Sequence, residues 1–505
     1  MSGLAVGFGA PEEKSVERMM DRMRHRGPAL HGTFKAGPVM MAQRYLAADV
    51  SGLVPGEPIP EGVPLSGGWR ICYDGQMGNV AGLAAEYGVP AGPLWEERLV
   101  LQLYAEFDPD FLTLLTDAIF ALVMSNGSRL FAARDLLGMK TLFYGRREGS
   151  LYFASELKAI MEVTDDVFEF PPGHFMREDG NFTRFGRLPR HPPPVMLDDV
   201  DLMIRGVRII AERSILDRVD FSRPTGSLLS GGIDSSVVAM LAARHYGNSL
   251  GEARRLGTLA VGTVDSHDLD NARLIAERLG TEHHEVVIGL EDLLAALPDV
   301  VYYLESFDAS LVRSSVANYL ISRKGRELGM EVLLSGQGGD EVFCGYGHLN
   351  VCLPHELHRK HVECLGHLHN TVSLRLDRMN QCNSIRVVAP LISGELLAFS
   401  FAIPPQYRMR EENGKKIEKW IFRKSFESDI PEQVVWRTRE AFSRGSGSAA
   451  LLTLHFEQTI TDSEFSRARD QHSFIRSKEE LHYFNLFASY FGKGKAVETV
   501  GRWLD

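Results

Sequence analysis

The sequence predicts a two-domain α/β protein whose halves meet near residue 190. Short β-like runs dominate the first half, whereas helical and strand patterns alternate after residue 200. Between them, Arg190-His191-Pro192-Pro193-Pro194 forms a stiff, extended stretch that is typical of a boundary. We therefore expect one domain over residues 1–190 and a second over residues 200–505.

The first half is predicted to be rich in antiparallel strands. Its β-like runs cover residues 70–73, 119–124, 129–132, 141–144 and 151–153. Turn residues such as Asn126-Gly127 and Glu148-Gly149 lie between them, as expected for strands that are joined by short connections.

The second half is predicted to form a doubly wound parallel sheet. Apolar strand patterns at residues 225–229, 257–264, 284–288 and 331–334 alternate with helical patterns at 205–219, 269–279 and 311–328. Beyond about residue 350 the pattern is mostly helical. Ligands bind at the carboxyl ends of the strands in such sheets, so the loops that follow the strands are the candidate site.

Composition and charge exclude some functions. The 505 residues are 44% hydrophobic and 24% charged, and the net charge of −11 argues against nucleic acid as a partner. We see no apolar run of membrane-spanning length and no signal peptide, which argues against a membrane as partner. The expected partner is therefore a small molecule, neither membrane nor nucleic acid. Five sparse cysteines suggest reduced thiols in a cytoplasm.

The most informative segment is the loop Ser230-Gly231-Gly232-Ile233-Asp234-Ser235-Ser236, which follows the apolar pair Leu228-Leu229. Glycines before a helix let backbone N–H groups face an anion, and the helix dipole adds positive charge there. The loop suits a polyphosphate but lacks the Gly-Lys-Ser/Thr ending of a Walker loop. Asp234 can hold Mg²⁺, because this cation prefers carboxylate and phosphate oxygens. The pattern resembles the pyrophosphate loop of ATP pyrophosphatases.

A second loop, Ser335-Gly336-Gln337-Gly338-Gly339-Asp340-Glu341, follows the apolar run Val332-Leu333-Leu334. It repeats the arrangement of strand, glycine-rich turn and carboxylate. Two such loops at neighbouring strand ends could face one nucleotide.

The chain resembles the class II, asparagine synthetase B-type family, including its β-lactam synthetase relatives. Besides the two loops, the resemblance includes His25-Arg26-Gly27-Pro28, Ala133-Arg134-Asp135, residues 153–159, Glu305-Ser306-Phe307-Asp308, Arg375 with Asp377, Glu418-Lys419 and Val435-Trp436-Arg437. It implies an N-terminal Ntn-hydrolase-type glutaminase domain, an αββα sandwich, and a C-terminal ATP pyrophosphatase domain. The implied reaction adenylates a carboxylate, and an amine then displaces AMP to form an amide.

The resemblance also implies site roles. Leu228 and Val261 would contact the nucleotide, and the pyrophosphate and Mg²⁺ would be held by Ser230, Gly231, Gly232, Asp234, Ser235 and Ser236. Ser335 and Gly336 would lie beside the acyl-adenylate, and Asp340 would be a second metal carboxylate. The catalytic side chains would be Lys419, a phosphate contact, with Gln337 and Arg439.

The glutaminase half departs from the family pattern. The family requires a cysteine at position 2, where this chain has Ser2, a weaker nucleophile at neutral pH. The glutamine pocket is altered too, because residues 74–79 read Asp-Gly-Gln-Met-Gly-Asn and the glutamine-binding aspartate is Glu96. We therefore expect Ser2, Arg44, Gly75 and Glu96 to form a degenerate site without glutaminase activity.

The synthetase half departs near the acceptor. Gln337 stands where asparagine synthetases have glutamate and β-lactam synthetases have tyrosine, and the partner carboxylate of that tyrosine is Leu374 here. A neutral glutamine orients a substrate but cannot be a base, so the amine proton goes to water, the substrate or Glu341. Arg439 replaces a family lysine and keeps its charge with a different geometry.

Three hypotheses follow. The first is an ATP- and Mg²⁺-dependent amide-forming ligase, without its own glutamine hydrolysis, that acts on a small carboxylate with ammonia or an amine in specialised metabolism such as antibiotic biosynthesis; the amine could belong to the substrate, as in β-lactam-type cyclisation. The second is a working asparagine synthetase that uses ammonia or glutamine. The third is a non-catalytic homologue that binds a nucleotide or a partner. A homodimer is common in the family and is possible for each.

Overall fold

A computed structural model describes residues 2–9, 11–28, 30–49, 68–249, 254–440 and 442–502. Within these residues, every helix is too short or too polar to cross a lipid bilayer.

The first half contains two antiparallel sheets. Its strands are β1 (Ser2–Phe8), β2 (Leu30–Ala36), β3 (Val39–Tyr45), β4 (Arg70–Met77), β5 (Ala118–Ser125), β6 (Leu130–Arg134), β7 (Phe143–Arg147), β8 (Ser150–Ala154), β9 (Val167–Glu169), β10 (His174–Arg177) and β11 (Phe182–Arg184). One sheet has the order β2-β3-β1-β8-β7-β9 and the other β11-β10-β6-β5-β4. The helices are α1 (Glu13–Arg22), α2 (Val80–Glu86), α3 (Trp95–Phe107) and α4 (Leu157–Ile160).

Alternation along the strands builds a four-layer αββα sandwich. Leu4 and Val6 of β1 pack against Ala121 and Val123 of β5 in the core between the sheets. Ala5, between them in sequence, points the opposite way into a core that includes α1. On the far side, β4 packs against α3 through a separate apolar cluster. This architecture confirms the Ntn-type fold that the resemblance implied.

The second half is built on a fully parallel sheet with the order β14-β13-β12-β15-β16. Its strands are β12 (Thr225–Leu228), β13 (Gly257–Gly262), β14 (Glu282–Val287), β15 (Val332–Leu334) and β16 (Arg386–Val388). The helices around it are α5 (Val200–Leu216), α6 (Ile233–Ser249), α7 (His267–Leu279), α8 (Leu290–Leu304), α9 (Ala309–Glu327), α10 (Gly339–Phe343), α11 (Pro354–Leu365) and α12 (Val372–Gln381). The doubly wound sheet is thereby confirmed.

The remainder of the chain is mostly helical, as expected. It contains α13 (Gly394–Ala402), α14 (Pro405–Arg408), the hairpin β17 (Met409–Glu412) and β18 (Lys415–Glu418), α15 (Trp420–Phe426), α16 (Glu432–Val435), α17 (Phe442–Gly445), α18 (Ser448–Thr459), α19 (Asp462–Gln471) and α20 (Lys478–Phe491). Helix α8 was not among the predicted elements. It carries Pro298 in its interior, a residue that ordinarily argues against a helix.

Buried charges join the two halves. Four cations and four anions, each no more than 4% exposed at the side chain, form what we call the interface charge network: Arg26, Lys140, Lys158, Arg378, Asp74, Glu156, Glu305 and Asp377. Arg26 lies at its centre, with guanidinium nitrogens 2.8 Å from Asp377 and 3.0 Å from Asp74. Because the charges balance, the network is tolerated in the interior, and it ties the sandwich to α12.

Candidate active site

A cavity of about 1050 Å³ lies at the carboxyl ends of β12, β13 and β15. Twelve of the residues predicted for the synthetase site line it: Leu228, Ser230, Gly232, Asp234, Ser235, Val261, Ser335, Gly336, Gln337, Asp340, Lys419 and Arg439. They come together because β12 pairs with both β13 and β15, which places the loops after these strands side by side.

The two glycine-rich loops touch through positions where a side chain would not fit. A Cβ at Gly336 would lie 2.4 Å from the backbone N of Ser235, and a Cβ at Gly339 would lie 2.2 Å from Oδ1 of Asp234. Glycine at both positions therefore allows the second loop to lie directly on the first.

The first loop is held by its own hydroxyl groups. Ser235 Oγ accepts a hydrogen bond from the Ser230 N–H (3.1 Å) and donates one to the Gly232 carbonyl (3.1 Å). These bonds shape the turn that leads into α6. The first backbone N–H groups of this helix are at its cavity end.

Two residues of the predicted phosphate loop lie off the cavity surface. Ser236 is fully buried inside α6, its backbone N–H donates to the Gly232 carbonyl at 3.0 Å, and its hydroxyl has no hydrogen-bond partner among the described residues. Gly231, with φ +68°, packs against Asn271 and Ala272 at the start of α7. The role of these two residues in holding pyrophosphate stays a prediction.

Lys419 bridges the two loops. Its ammonium lies 2.7 Å from Asp234 Oδ2 and 2.8 Å from Asp340 Oδ1. Burial opposes the charge, but the two carboxylates outweigh it and raise the pKa of Lys419. Lys419 adopts a left-handed conformation, φ +54°, immediately before α15. It is therefore a fixed cation between the loops.

Arg439 binds the second loop through the Asp340 carboxylate oxygen that Lys419 does not contact. Its Nε and Nη2 atoms each lie 3.0 Å from Asp340 Oδ2, and its guanidinium stacks over the ring of Tyr346. Burial would raise the pKa of Asp340, but Lys419 and Arg439 outweigh it and hold that pKa well below its usual range. Asp340 is therefore ionised, as a metal or ion-pair carboxylate must be.

Gln337 is oriented by two charged neighbours. It donates to Glu341 and accepts from Arg375 Nη2 at 2.6 Å. Glu341 also accepts from the Gly338 N–H (2.8 Å) and the Tyr346 hydroxyl (2.6 Å), so both of its oxygens are occupied. Burial and the nearby Asp340 raise the pKa of Glu341. The sequence analysis had assigned no role to Arg375 or Tyr346, although Arg375 was part of the family pattern.

The predicted metal carboxylates meet at the cavity, although the described residues contain no group of three or more acidic, histidine or cysteine side chains placed to bind a metal. Asp234 Oδ1 is buried and accepts no hydrogen bond from the described residues, and burial raises the pKa of this carboxyl. An ionised carboxylate oxygen without a partner suits a hard divalent cation. Mg²⁺ commonly takes only one or two protein carboxylates, with phosphate oxygens and water supplying the rest.

Ser2 lies in the sandwich, and it is only 2% exposed. Its backbone N–H donates to Asp74 Oδ1 (3.0 Å), and its hydroxyl donates to the Tyr73 carbonyl (2.6 Å) and accepts from Gln43 Nε2 (2.9 Å). The interface charge network continues from here, because Arg26 Nε donates to the Ser2 carbonyl at 3.0 Å. Gln43 and Tyr73 were missed by the sequence analysis.

The rest of the predicted glutamine pocket is only partly assembled. The ring of Tyr73 fills the space over Gly75, where a Cβ would lie 2.3 Å from the Tyr73 hydroxyl oxygen. That hydroxyl donates to Glu96 Oε2 at 2.8 Å, so one aromatic side chain occupies the space between Gly75 and Glu96. Arg44 points to the other face of β3 and donates to the Met20 and Gly27 carbonyls. The Arg44 side chain therefore lies on the face opposite to Ser2, whereas Gln43 lies on the same face as Ser2, because side chains alternate along a strand.

Comparisons with known proteins agree with this geometry. Residues 206–360 and 353–481 match the family model described as asparagine synthase, and residues 1–176 match a glutamine amidotransferase domain. An asparagine synthetase [glutamine-hydrolyzing] 3 of Arabidopsis thaliana is 31% identical over 99% of this chain and 89% of its own length. An enzyme named asparagine synthetase [glutamine-hydrolyzing] from Triphysaria versicolor is 29% identical over 99% of this chain and 88% of its own.

The predictions of family, fold class and enzyme class are confirmed by these matches. The two glycine-rich loops line one cavity and share the cation Lys419. The chain belongs to the asparagine synthetase B-type family and is an ATP-dependent, amide-forming carbon–nitrogen ligase with an amidotransferase-type N-terminal half.

Proposed function

We propose that this chain joins ammonia or an amine to an ATP-activated carboxylate without hydrolysing glutamine. The observation that carries the proposal is the environment of Ser2. This residue is buried, and its hydroxyl donates a hydrogen bond to the Tyr73 carbonyl. A carbonyl accepts a hydrogen bond but does not remove a proton, so it does not activate a hydroxyl nucleophile. The Tyr73 ring over Gly75 further reduces the room for glutamine.

In the proposed reaction, a substrate carboxylate oxygen attacks the α-phosphorus of ATP and pyrophosphate leaves with the bonding electrons. An amine nitrogen then attacks the acyl carbon of the adenylate, loses a proton, and AMP leaves. Lys419 lies between the two loops, where it would neutralise phosphate charge, and Arg439 would stabilise negative charge beside Asp340. Gln337 would orient the substrate.

The proposed reaction also uses Mg²⁺. Asp234, with its unpartnered oxygen, and Asp340 would hold it, and when bound it would neutralise charge on the transferring phosphoryl group. The Lys419 ammonium contacts both carboxylates and so keeps them close together.

The nitrogen source is tested by measuring AMP and amide formation with ammonium or glutamine as donor, using aspartate as the first acid because the relatives are named asparagine synthetases. We expect product with ammonium and none above background with glutamine. Ser2→Ala should leave the ammonium-dependent rate unchanged. Glutamine-dependent product that disappears in Ser2→Ala would overturn the proposal and favour a glutamine-dependent asparagine synthetase.

A second candidate is asparagine synthesis with glutamine as donor, which the two full-length relatives favour by name. Attack by an amine of the substrate itself, as in a specialised-metabolite cyclisation, is a third. An ATP–pyrophosphate exchange panel separates these, since exchange with aspartate favours asparagine synthesis and exchange confined to a larger amino diacid favours cyclisation. Nucleotide binding without exchange for any acid would favour a non-catalytic homologue.

A further inference from the structure

His348 lies at the wall of the cavity, and two neighbours hold its ring. It is an exposed residue and the only histidine among the described residues that line the cavity. Its ring stacks on that of Tyr346, with the centroids 5.7 Å apart and the planes 13° from parallel. Its Nε2 atom lies 3.1 Å from Sγ of Cys364, which belongs to α11. These contacts fix the position of the ring, and neither of them uses Nδ1.

Amide formation needs a proton acceptor in this cavity. The attacking nitrogen becomes positively charged as it bonds to the acyl carbon, and it must lose a proton for the amide to form. The buried carboxylates of the described cavity are already paired with cations. Asp234 and Asp340 share the Lys419 ammonium. Asp268 is paired with Arg437.

The second glycine-rich loop does not supply a free base either. Gln337 is a neutral amide. Glu341 accepts hydrogen bonds from the Gln337 side chain, the Gly338 N–H and the Tyr346 hydroxyl. A carboxylate that already accepts three hydrogen bonds has little capacity left for a substrate proton. The imidazole of His348 is therefore the best-placed base.

The imidazole of His348 is neutral at neutral pH, as a base must be. Partial burial and the nearby cations Arg439 and Lys360 lower its pKa, because a positive ring would lose hydration and would be repelled by two positive charges. The titratable and charged groups that face the ring or its segment are Tyr346, Cys364, Arg439, Lys360 and, from β18, Lys416.

We propose that His348 is the general base of the amide-forming step and that Cys364 is its positioning residue. The inference rests on the amine attack of the proposed function and names the group that receives the amine proton. In this arrangement Nε2–H donates to the Cys364 sulfur, and Nδ1 carries the lone pair.

The proton follows a complete path in this step. As the amine nitrogen bonds to the acyl carbon of the adenylate, one N–H proton passes to Nδ1 and the ring becomes an imidazolium. The bond between the acyl carbon and the phosphate oxygen then breaks, and AMP leaves with the bonding electrons. Because His348 is exposed, the imidazolium releases its proton to solvent.

The test separates the two half-reactions. Adenylation is measured as ATP–pyrophosphate exchange with the acid that supports it. Amide formation is measured as product with hydroxylamine, whose nitrogen is already unprotonated at neutral pH. His348→Gln should lower the rate of amide formation by about 10²–10⁴-fold, the range of general-base catalysis, and should lower the exchange rate far less. A loss of amide formation below about tenfold, or an equal loss of exchange, would overturn the inference.

A matched control and a competing base complete this comparison. His355→Gln removes an exposed histidine of α11 and should change neither rate. Glu440 is the one cavity carboxylate of the described residues that is about half exposed, and it lies 3.7 Å from Arg437. A larger loss of amide formation in Glu440→Gln than in His348→Gln would assign the proton to Glu440 and contradict the inference.

The pH profile distinguishes a base from a structural side chain. The rate of the amide-forming step should fall at acidic pH as His348 takes up a proton, because an imidazolium has no lone pair to accept another. This acidic limb should disappear in His348→Gln. An unchanged limb in that variant would show that another group titrates and would refute the role of His348.

The positioning role is tested at Cys364. Cys364→Ser keeps an acceptor for Nε2–H and should retain most of the amide-forming rate, whereas Cys364→Ala should lower it by about tenfold, as expected for the loss of one hydrogen bond. Equal rates in the two variants would remove Cys364 from the mechanism. Absence of exchange with every acid tested would instead overturn the proposed function, and this inference with it.

Discussion

Replacement of Arg26 by methionine should destabilise the whole protein and not only its first half. The guanidinium is fully buried and lies 2.8 Å from Asp377, 2.9 Å from Glu156 and 3.0 Å from Asp74. Methionine keeps much of the side-chain volume but leaves the interface charge network with three cations for four anions. One carboxylate must then remain uncompensated in the interior or take up a proton.

The magnitude follows from these distances. At an effective dielectric constant of about 20, each contact near 3 Å has a Coulomb energy of about 6 kcal/mol, which is largely offset by the desolvation of the ions. Loss of one member of a buried ion pair typically costs about 3–5 kcal/mol. For a unit the size of either half, this corresponds to a fall of roughly 6–20 °C in the unfolding midpoint.

A double-mutant cycle isolates the ion pair. We expect Arg26→Met and Asp377→Asn each to lower the midpoint strongly, and the double variant to lose less than the two effects combined, because its remaining charges balance. The control Arg22→Met removes an exposed pair with Glu162 and should cost less than about 1 kcal/mol. Differential scanning calorimetry and urea unfolding give the values. Additive losses, or an Arg26→Met effect no larger than the control, would refute the reasoning.

Three further predictions concern single positions. Gly339→Ala should abolish ATP–pyrophosphate exchange, because its Cβ would displace the Asp234 carboxylate, whereas Gly82→Ala, which meets no atom within 4 Å, should retain it. Lys419→Met should lower the exchange rate by about 10²–10³-fold, and a loss below tenfold would contradict the role of its charge. Burial raises the pKa of Glu97 in the folded protein to about 8, above its value of about 4.5 in the unfolded chain. The stabilisation that depends on protonated Glu97 is therefore complete below the unfolded pKa and is lost as the pH rises through the folded pKa. Glu97→Gln should therefore raise the thermal midpoint at pH 8.5 more than at pH 5.

Much of the fold and of the synthetase site could be predicted, because strand periodicity and loop chemistry are local properties. The alternation of residues 225–334 indicated a parallel sheet, and such a sheet brings the ends of β12, β13 and β15 to one edge. The proximity of Asp234, after β12, to Asp340, after β15, follows from that topology, whereas the position of Lys419, which follows the separate hairpin strand β18, does not. Helix α8 was missed because its interior proline masks the helical pattern.

Features that the sequence analysis did not predict arose where neighbours in space decide the position of a side chain. Arg44 was grouped with Ser2 in one site, but the pairing of β1 with β3 turns the Arg44 side chain to the opposite face and brings Gln43 to the serine. Ser236 belongs to the loop in sequence, yet it is buried inside the helix that the loop begins. The filling of the glutamine pocket by Tyr73 likewise depends on an absent Cβ at Gly75.

The family, the αββα sandwich, the parallel sheet and the two phosphate-type loops could be inferred from the sequence, because each depends on residue types at fixed spacing along the chain. The pairing of buried charges and polar groups, in contrast, is visible only in the folded protein. The balance of the interface charge network, the occupied oxygens of Glu341 and the neutral partner of Arg375 all depend on side chains that are distant in sequence. Electrostatic energy depends on distance and burial in space, and neither can be read from the spacing of residues along the chain.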